Sequence, residues 1–308
     1  LRGSAKSLAP SWNTPHFPRG KCSRALRKNG FFAPALSAGL PEYGIWRPKD
    51  GKWYARRVDG TGIVSDFQRG APGDVPLVGD FDGDGFNDDL GIWRPSDGTW
   101  YLLRSNRTLI GIMPWGVRGD IPLVSDFDGD GRKDDLGVYR PSTGTWWARR
   151  VDGSVIFEKL QYGLQGDVPV VGDFDNDGRS DDIGVFRPSN GSWYLTRTDG
   201  RSIANGLAWG LRGDVPLVGD FDGDGVSDDL GVWRPSTGTW WAIRTDGSPI
   251  VTNRGWGTSG DIPLLGDVDS NGRVNDGIVW RPSEGTWWAL RFSDGAVLMN
   301  QIPWGYPH

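Results

Sequence analysis

The sequence has a single cysteine, Cys22, so an internal disulfide framework is excluded. It has only two histidines, His16 and His308, near its two ends. A Ser–His–Asp triad would need one of them, and a Cys–His pair would have to form in a stretch with no patterned structure. No apolar run approaches the roughly 20 residues that span a bilayer, and no secretory leader is visible. Acidic side chains are absent from residues 1–40, which carry seven basic ones, whereas the remainder holds 27 basic and 39 acidic residues. This reads as a basic, irregular arm over residues 1–26, a solvated tail rather than a nucleic-acid contact, on an acidic body.

What is abundant is glycine, proline and tryptophan: 48, 21 and 18 residues against 37% hydrophobic overall, the mark of a turn-rich, aromatic-cored fold. These residues recur in order. An aromatic-Arg-Pro box starts at Trp46, Trp93, Tyr139, Phe186, Trp233 and Trp280, in steps of 47, 46, 47, 47 and 47 residues. Each full unit contains four strand-like runs, in the fifth unit 215–220, 229–234, 239–245 and 249–254, edged by Gly, Pro, Asn and Asp. Four short strands and their turns fill such a period, and a sheet that small cannot bury both faces alone. Radial packing of successive sheets solves this. The expected fold is all-β, a six-bladed propeller of four antiparallel strands per blade. Its blades run approximately over 27–73, 74–119, 120–166, 167–213, 214–260 and 261–308.

A second box joins the units: Trp115-Gly116, Tyr162-Gly163, Trp209-Gly210 and Trp256-Gly257, each followed three residues later by Gly-Asp. The ring is expected to wedge between neighbouring blades. The last copy, Trp304-Gly305, is expected to dock on the first blade and close the circle.

The chemistry-bearing motif is D-x-D-x-D-G-x-x-D. It occurs at Asp80/Asp82/Asp84/Asp88, Asp126/Asp128/Asp130/Asp134, Asp173/Asp175/Asp177/Asp181 and Asp220/Asp222/Asp224/Asp228. Alternate carboxylates aim inward, Gly at position six permits the sharp turn, and a backbone carbonyl at position seven (Phe86, Arg132, Arg179, Val226) completes a hard-oxygen cage for Ca²⁺. A fifth loop keeps Asp267 and Asp269 but has Asn271 and Asn275, with Arg273 at position seven, and should bind most weakly. About five Ca²⁺ ions are expected, and their charge would offset most of the body's acidity. Laid on without gaps, the first unit places Ala33, Ala35, Ser37 and Pro41 at the carboxylate positions: a loop of the same length without its ion. A helix–loop–helix calcium site is excluded, because its position-twelve Glu is replaced by Gly91, Gly137, Gly184, Gly231 and Ile278.

Gly-Asp-x-Pro followed by this loop, in strand-rich units, resembles the FG-GAP-like (VCBS-type) repeats of bacterial extracellular proteins and the calcium-loop repeats of integrin α-subunit propellers. The first unit departs from that pattern. The resemblance implies a calcium-stiffened, extracellular or cell-surface propeller used in adhesion or lectin-like sugar binding. The expected function is a binding module with a glycan favoured over a protein ligand, monomeric, with no nucleic-acid partner. The alternative is a calcium-dependent hydrolase of esters, lactones or phosphoesters at the central channel. Three features are read as structural. Arg118-Gly119-Asp120 and Arg212-Gly213-Asp214 spell an integrin-recognition tripeptide by chance. The pairs Trp146-Trp147, Trp240-Trp241 and Trp287-Trp288 belong to the packing rather than to a sugar platform. Arg47, Arg94, Arg140, Arg187, Arg234 and Arg281 are expected in ion pairs or stacks rather than in an anion-binding ring.

Overall fold

The computed structural model describes residues 31–32, 42–47, 49–57 and 61–304. Among these there are twenty-four strands and no helix, hence none long and apolar enough to cross a membrane. The first blade comprises β1 (Phe31–Phe32), β2 (Glu42–Arg47), β3 (Lys52–Arg57) and β4 (Gly62–Gln68). The second has β5 (Val75–Gly79), β6 (Asp89–Arg94), β7 (Thr99–Leu103) and β8 (Leu109–Pro114). β9 (Ile121–Ser125), β10 (Asp135–Arg140), β11 (Thr145–Arg149) and β12 (Val155–Gln161) form the third. The fourth contains β13 (Val168–Gly172), β14 (Asp182–Arg187), β15 (Ser192–Thr196) and β16 (Ser202–Ala208). In the fifth are β17 (Val215–Gly219), β18 (Asp229–Arg234), β19 (Thr239–Ile243) and β20 (Pro249–Gly255). The sixth holds β21 (Ile262–Gly266), β22 (Asp276–Arg281), β23 (Thr286–Arg291) and β24 (Val297–Pro303). Each blade is a four-stranded antiparallel meander, and the whole is a six-bladed propeller.

Strand two shows why the blades stack. In β18, Leu230 and Val232 face one way, into a cluster with Val170, Phe186 and Trp193 of the fourth blade. Trp233 faces the other way, with Trp240 of its own blade and Val279 of the sixth. Period-2 alternation therefore puts an apolar set on each side, and both sides are buried. The aromatic of each box pairs across the ladder with a Trp on strand three, as in Tyr139↔Trp146 and Phe186↔Trp193, with ring centroids 5.0 and 5.1 Å apart. Ten tryptophans are fully buried in this way, so the leading ring of every Trp-Trp pair is core. The trailing Trp147, Trp241 and Trp288 are half-buried, each under a guanidinium from Arg140, Arg234 or Arg281.

The joining box behaves as expected from the sequence. The carbonyls of Trp115, Tyr162, Trp209, Trp256 and Trp304 accept the indole N–H of the strand-three Trp at 2.7–3.0 Å. Trp209 and Trp256 then meet Trp241 and Trp288 of the next blade edge-on. Trp304 lies in the cluster that holds Ile45 and Tyr54 of the first blade, with the Arg56 guanidinium 5.3 Å from its ring centre. The close approach of box and turn demands glycine: a Cβ on Gly238 (φ +66°) would sit 2.2 Å from the Gly257 carbonyl oxygen.

One expectation needs correction. Gapless alignment of the first unit pairs Phe31 with Tyr43, but the register is Phe31↔Ile45 and Phe32↔Gly44. Phe31 thus takes the place that Pro76 holds against Ile92 in the second blade, a slip of two residues. A two-residue slip keeps every side chain on its face, so the hydrophobic pattern alone does not resist it. Phe31 and Ile45 are 14 residues apart, whereas Pro76 and Ile92 are 16 apart, so the connection in the first blade is two residues shorter than in the second. Ala33, Ala35, Ser37 and Pro41 lie outside the described residues, as do the arm 1–26, Cys22, His16 and His308.

Candidate metal centres

The five acid loops connect strands one and two of blades two to six. Position two anchors each: Phe81, Phe127, Phe174, Phe221 and Val268 are buried. The Phe221 ring lies against Gly231 of β18, where a Cβ would come within 2.3 Å of it. With that ring pinned, the flanking aspartates turn to the other side of the chain.

Backbone N–H groups then set the carboxylates. Asp80 accepts from Asp84 and Gly85, both at 2.9 Å, and Asp126, Asp173 and Asp267 repeat the arrangement. Asp220 accepts from Gly225. Position three accepts from the position-five N–H: Asp82, Asp128, Asp175, Asp222 and Asp269 at 3.1–3.3 Å. Position five accepts from the N–H of position seven: Asp84 from Phe86, Asp130 from Arg132, Asp177 from Arg179, Asp224 from Val226 and Asn271 from Arg273.

Carboxylate oxygens within 4.8 Å of one another gather in every loop: Asp80/Asp82/Asp89, Asp126/Asp128/Asp130, Asp173/Asp175/Asp182, Asp220/Asp222/Asp229 and Asp267/Asp269/Asp276. Sequence reasoning missed position ten, represented by Asp89, Asp182, Asp229 and Asp276. The signal was present as an acidic doublet in the first three and as Asn275-Asp276 in the last, but the second member reads as the first residue of strand two. Position ten is fully buried and accepts the loop's own N–H, for example Asp229 from Asp222 at 3.0 Å. Burial, reinforced by neighbouring carboxylates, raises Asp89 to about 6, Asp182 and Asp276 to about 7, and Asp135 and Asp229 to about 8.

Position nine sits at the seam between loops. The Asp181 carboxylate lies against Gly129 of the preceding loop, and the Asn275 amide lies against Gly223. Burial raises Asp134, Asp181 and Asp228 to about 6, and carboxylates of their own and the preceding loop add to it. Asp88 is also raised, chiefly by burial. The backbone carries the same link: the N–H groups of Asp80, Asp173 and Asp220 donate to the carbonyls of Lys133, Ser227 and Val274 in the next blade. The acid loops therefore form an interlocked arc at one end of the propeller.

A second missed set is Arg104, Arg150, Arg197, Arg244 and Arg291, at the ends of the third strands. Each pairs with the position-three aspartate of its own blade. One charge per loop is thus already compensated. The remaining donors suit a hard divalent cation: carboxylate oxygens converge, and buried Oδ1 atoms of Asp182, Asp220, Asp229 and Asp276 receive no hydrogen bond.

The opposite end is built from the joining boxes and the Arg-Pro turns. Asp74, Asp120, Asp167, Asp214 and Asp261 are buried there and held bidentately by Arg94, Arg140, Arg187, Arg234 and Arg281 at 2.7–3.0 Å. Arg47 instead lies over Tyr54 and donates to its hydroxyl. The arginines are therefore structural, and Asp120 and Asp214 are not presented as recognition tripeptides. A cleft of about 400 Å³ opens between the third and fourth blades, lined by Tyr162, Leu164, Arg187, Tyr194, Ser202 and Asn205.

No family model matches the sequence, and no curated protein matches it. Solved structures do resemble the fold. A catalytically inactive virginiamycin B lyase from Staphylococcus aureus with quinupristin is similar at 11% identity and TM-score 0.57, over 90% of this chain and 85% of that one. BBS1N in complex with ARL6DN is similar at 13% identity and TM-score 0.54, over 86% and 79%. A functionally unknown protein from Desulfotomaculum acetoxidans DSM 771 gives 10% identity and TM-score 0.54, over 90% and 87%. At such identities the likeness carries the fold alone.

Proposed function

We propose that this chain is a calcium-stabilised propeller that serves as a binding module, its acid loops structural and its ligand taken elsewhere on the surface. The observation that carries the reading is the five-fold recurrence of converging carboxylates, three of the five groups having buried oxygens that receive no hydrogen bond. Asp80, Asp126, Asp173, Asp220 and Asp267, with the position-three residues and position ten, or Asp130 at position five in the third blade, would hold the ions. Bound Ca²⁺ would supply charge compensation and cross-linking. The FG-GAP-like reading of the loops, and with it an extracellular setting, belongs to this proposal.

A glycan is the favoured ligand, taken at the cleft beside Tyr162. The rings of Tyr162 and Tyr194 line it beside Ser202 and Asn205, aromatic surface next to hydrogen-bonding groups, while Arg187 is held by Asp167 and lies over the Tyr194 ring. The test is a glycan array run with and without chelator, beside a panel of ester, lactone and phosphoester substrates. Calcium-dependent glycan capture that Tyr194→Ala abolishes is the expected result. Turnover of a panel substrate, with no glycan captured, would replace the binding-module reading by the hydrolase one.

A further inference from the structure

Among the described residues, the outermost strand of each blade has a strand on one side only, leaving a backbone edge that invites pairing with another chain. Five of the six outer strands are broken in the same way. β4, β12, β16, β20 and β24 have seven residues, two register shifts against strand three, and a residue with positive φ inside. That residue is Asp66 (+56°), Lys159 (+55°), Gly206 (+82°), Asn253 (+51°) or Gln301 (+55°). A bulge there bends the edge and interrupts its hydrogen-bonding row.

β8 lacks this device. It has six residues, no positive-φ residue inside and a single register shift, with Thr99↔Pro114, Trp100↔Met113, Tyr101↔Ile112 and Leu102↔Gly111 in unbroken succession. The cause is in the sequence. The one 46-residue step falls in this blade, and Trp100 reaches its carbonyl partner 15 residues on, where Trp146, Trp193 and Trp240 reach theirs 16 on. The missing residue is the bulge. β8 is also the one outer strand without a polar side chain, reading Leu-Ile-Gly-Ile-Met-Pro. Leu109 and Ile112 are 47% and 53% exposed, and a Cβ at Gly111 would meet nothing within 4 Å.

We propose that β8 is a self-pairing edge through which two copies of this chain associate, antiparallel about a two-fold axis, joining two second blades into one sheet. A second copy fits because two-fold pairing sets the strand against itself. An uncharged strand does so without like-charge repulsion, and with the axis at Ile112 that exposed side chain meets its own counterpart. The cations that precede the strand are engaged within the chain: Arg104 binds Asp82, and Arg107 lies over the Phe67 ring. Pro114 lacks an N–H and ends the ladder, so the contact is short and the dimer weak. This association replaces the monomer expected from the sequence.

The test is sedimentation velocity of the full chain over a concentration series. Two variants accompany it: Ile112→Lys, at an exposed position, and a single Asn inserted after Gly111 to restore the 47-residue period. The parent should pass from monomer to dimer as concentration rises. Ile112→Lys should weaken the dimer about tenfold or more by placing like charges across the pair. The insertion should do the same, while Val155→Lys on β12 should leave the dimer intact. If the insertion fails to fold, Ile112→Lys, checked by its melting curve, decides alone. A parent that stays monomeric to roughly millimolar concentration, or a dimer indifferent to Ile112→Lys, would overturn the proposal. So would a monomeric parent that captures an extended foreign peptide on β8.

Discussion

Trp304 bears on how the sixth blade grips the first, and its contribution can be worked out from its contacts. Its ring is half-buried, 6.5 Å from Trp287, with Arg56 of the first blade over it. Its backbone N–H donates to Gly285, and its carbonyl accepts the Trp287 indole N–H at 3.0 Å. Trp304→Ala keeps both backbone bonds and loses only the ring. Full burial of an aromatic is worth ~3–5 kcal/mol on truncation to Ala, so a half-buried ring should cost about 2 kcal/mol. Removing residues 301–308 goes further. It also strips the acceptor from the buried Trp287 indole, at about 1–3 kcal/mol, and the pairs Thr286↔Pro303 and Trp287↔Ile302. That truncation should lose ~4 kcal/mol or more in total and expose the Ile45–Trp280 seam to aggregation. The assay is urea unfolding followed by far-UV circular dichroism, with Trp256→Ala as the equivalent change at the joint between the fifth and sixth blades. If Trp256→Ala costs about 2 kcal/mol while Trp304→Ala and the truncation melt like the parent, the reasoning fails and the ring is held by other contacts.

Other consequences are open to measurement. Chelation should lower the melting temperature substantially, since one site at a thousand-fold excess over Kd adds about 4 kcal/mol; an unchanged melt in protein shown metal-free by elemental analysis would remove calcium from the fold. Calorimetric titration should resolve about four tight sites and one weaker site at Asp267/Asp269/Asn271, and five equal sites would contradict the ranking by ligand charge. Asp229→Asn keeps an acceptor for the Asp222 N–H and deletes one buried charge, so one site should lose about tenfold in Ca²⁺ affinity without a loss of metal-free stability; unchanged affinity would mean that position ten only pins the loop. Arg234→Met leaves Asp214 buried without its counter-ion and should cost ~3–5 kcal/mol in a urea melt, whereas a cost below about 1 kcal/mol would show that the pair is dispensable.

Much of this molecule is legible in one dimension because a repeat states its rules several times. The aromatic-Arg-Pro box, the Trp-Gly joint and the acid loop each reappear at nearly constant spacing, and four strands of period 2 between them leave radial packing as the way to bury both faces. The wedge of Trp115, Trp209 and Trp256 between blades, and that of Trp304 at the first blade, follow from the same arithmetic.

The sequence by itself determined the number of blades, the strand content and the place of the acid loops, because those depend on local turn chemistry and on side-chain alternation. Only the tertiary structure decided which carboxylates converge. Asp229 begins a strand in sequence, yet its buried side chain turns back to the loop; Asp181 belongs to one loop in sequence and lies against Gly129 of another. It also decided the partners of the arginines, since Arg234 and Asp214 are twenty residues apart and meet only when strands one and two pair. The first blade shows the limit most directly. A slip of two residues between Phe31 and Ile45 preserves the hydrophobic pattern, so pattern cannot choose the register and packing against the neighbouring blades must.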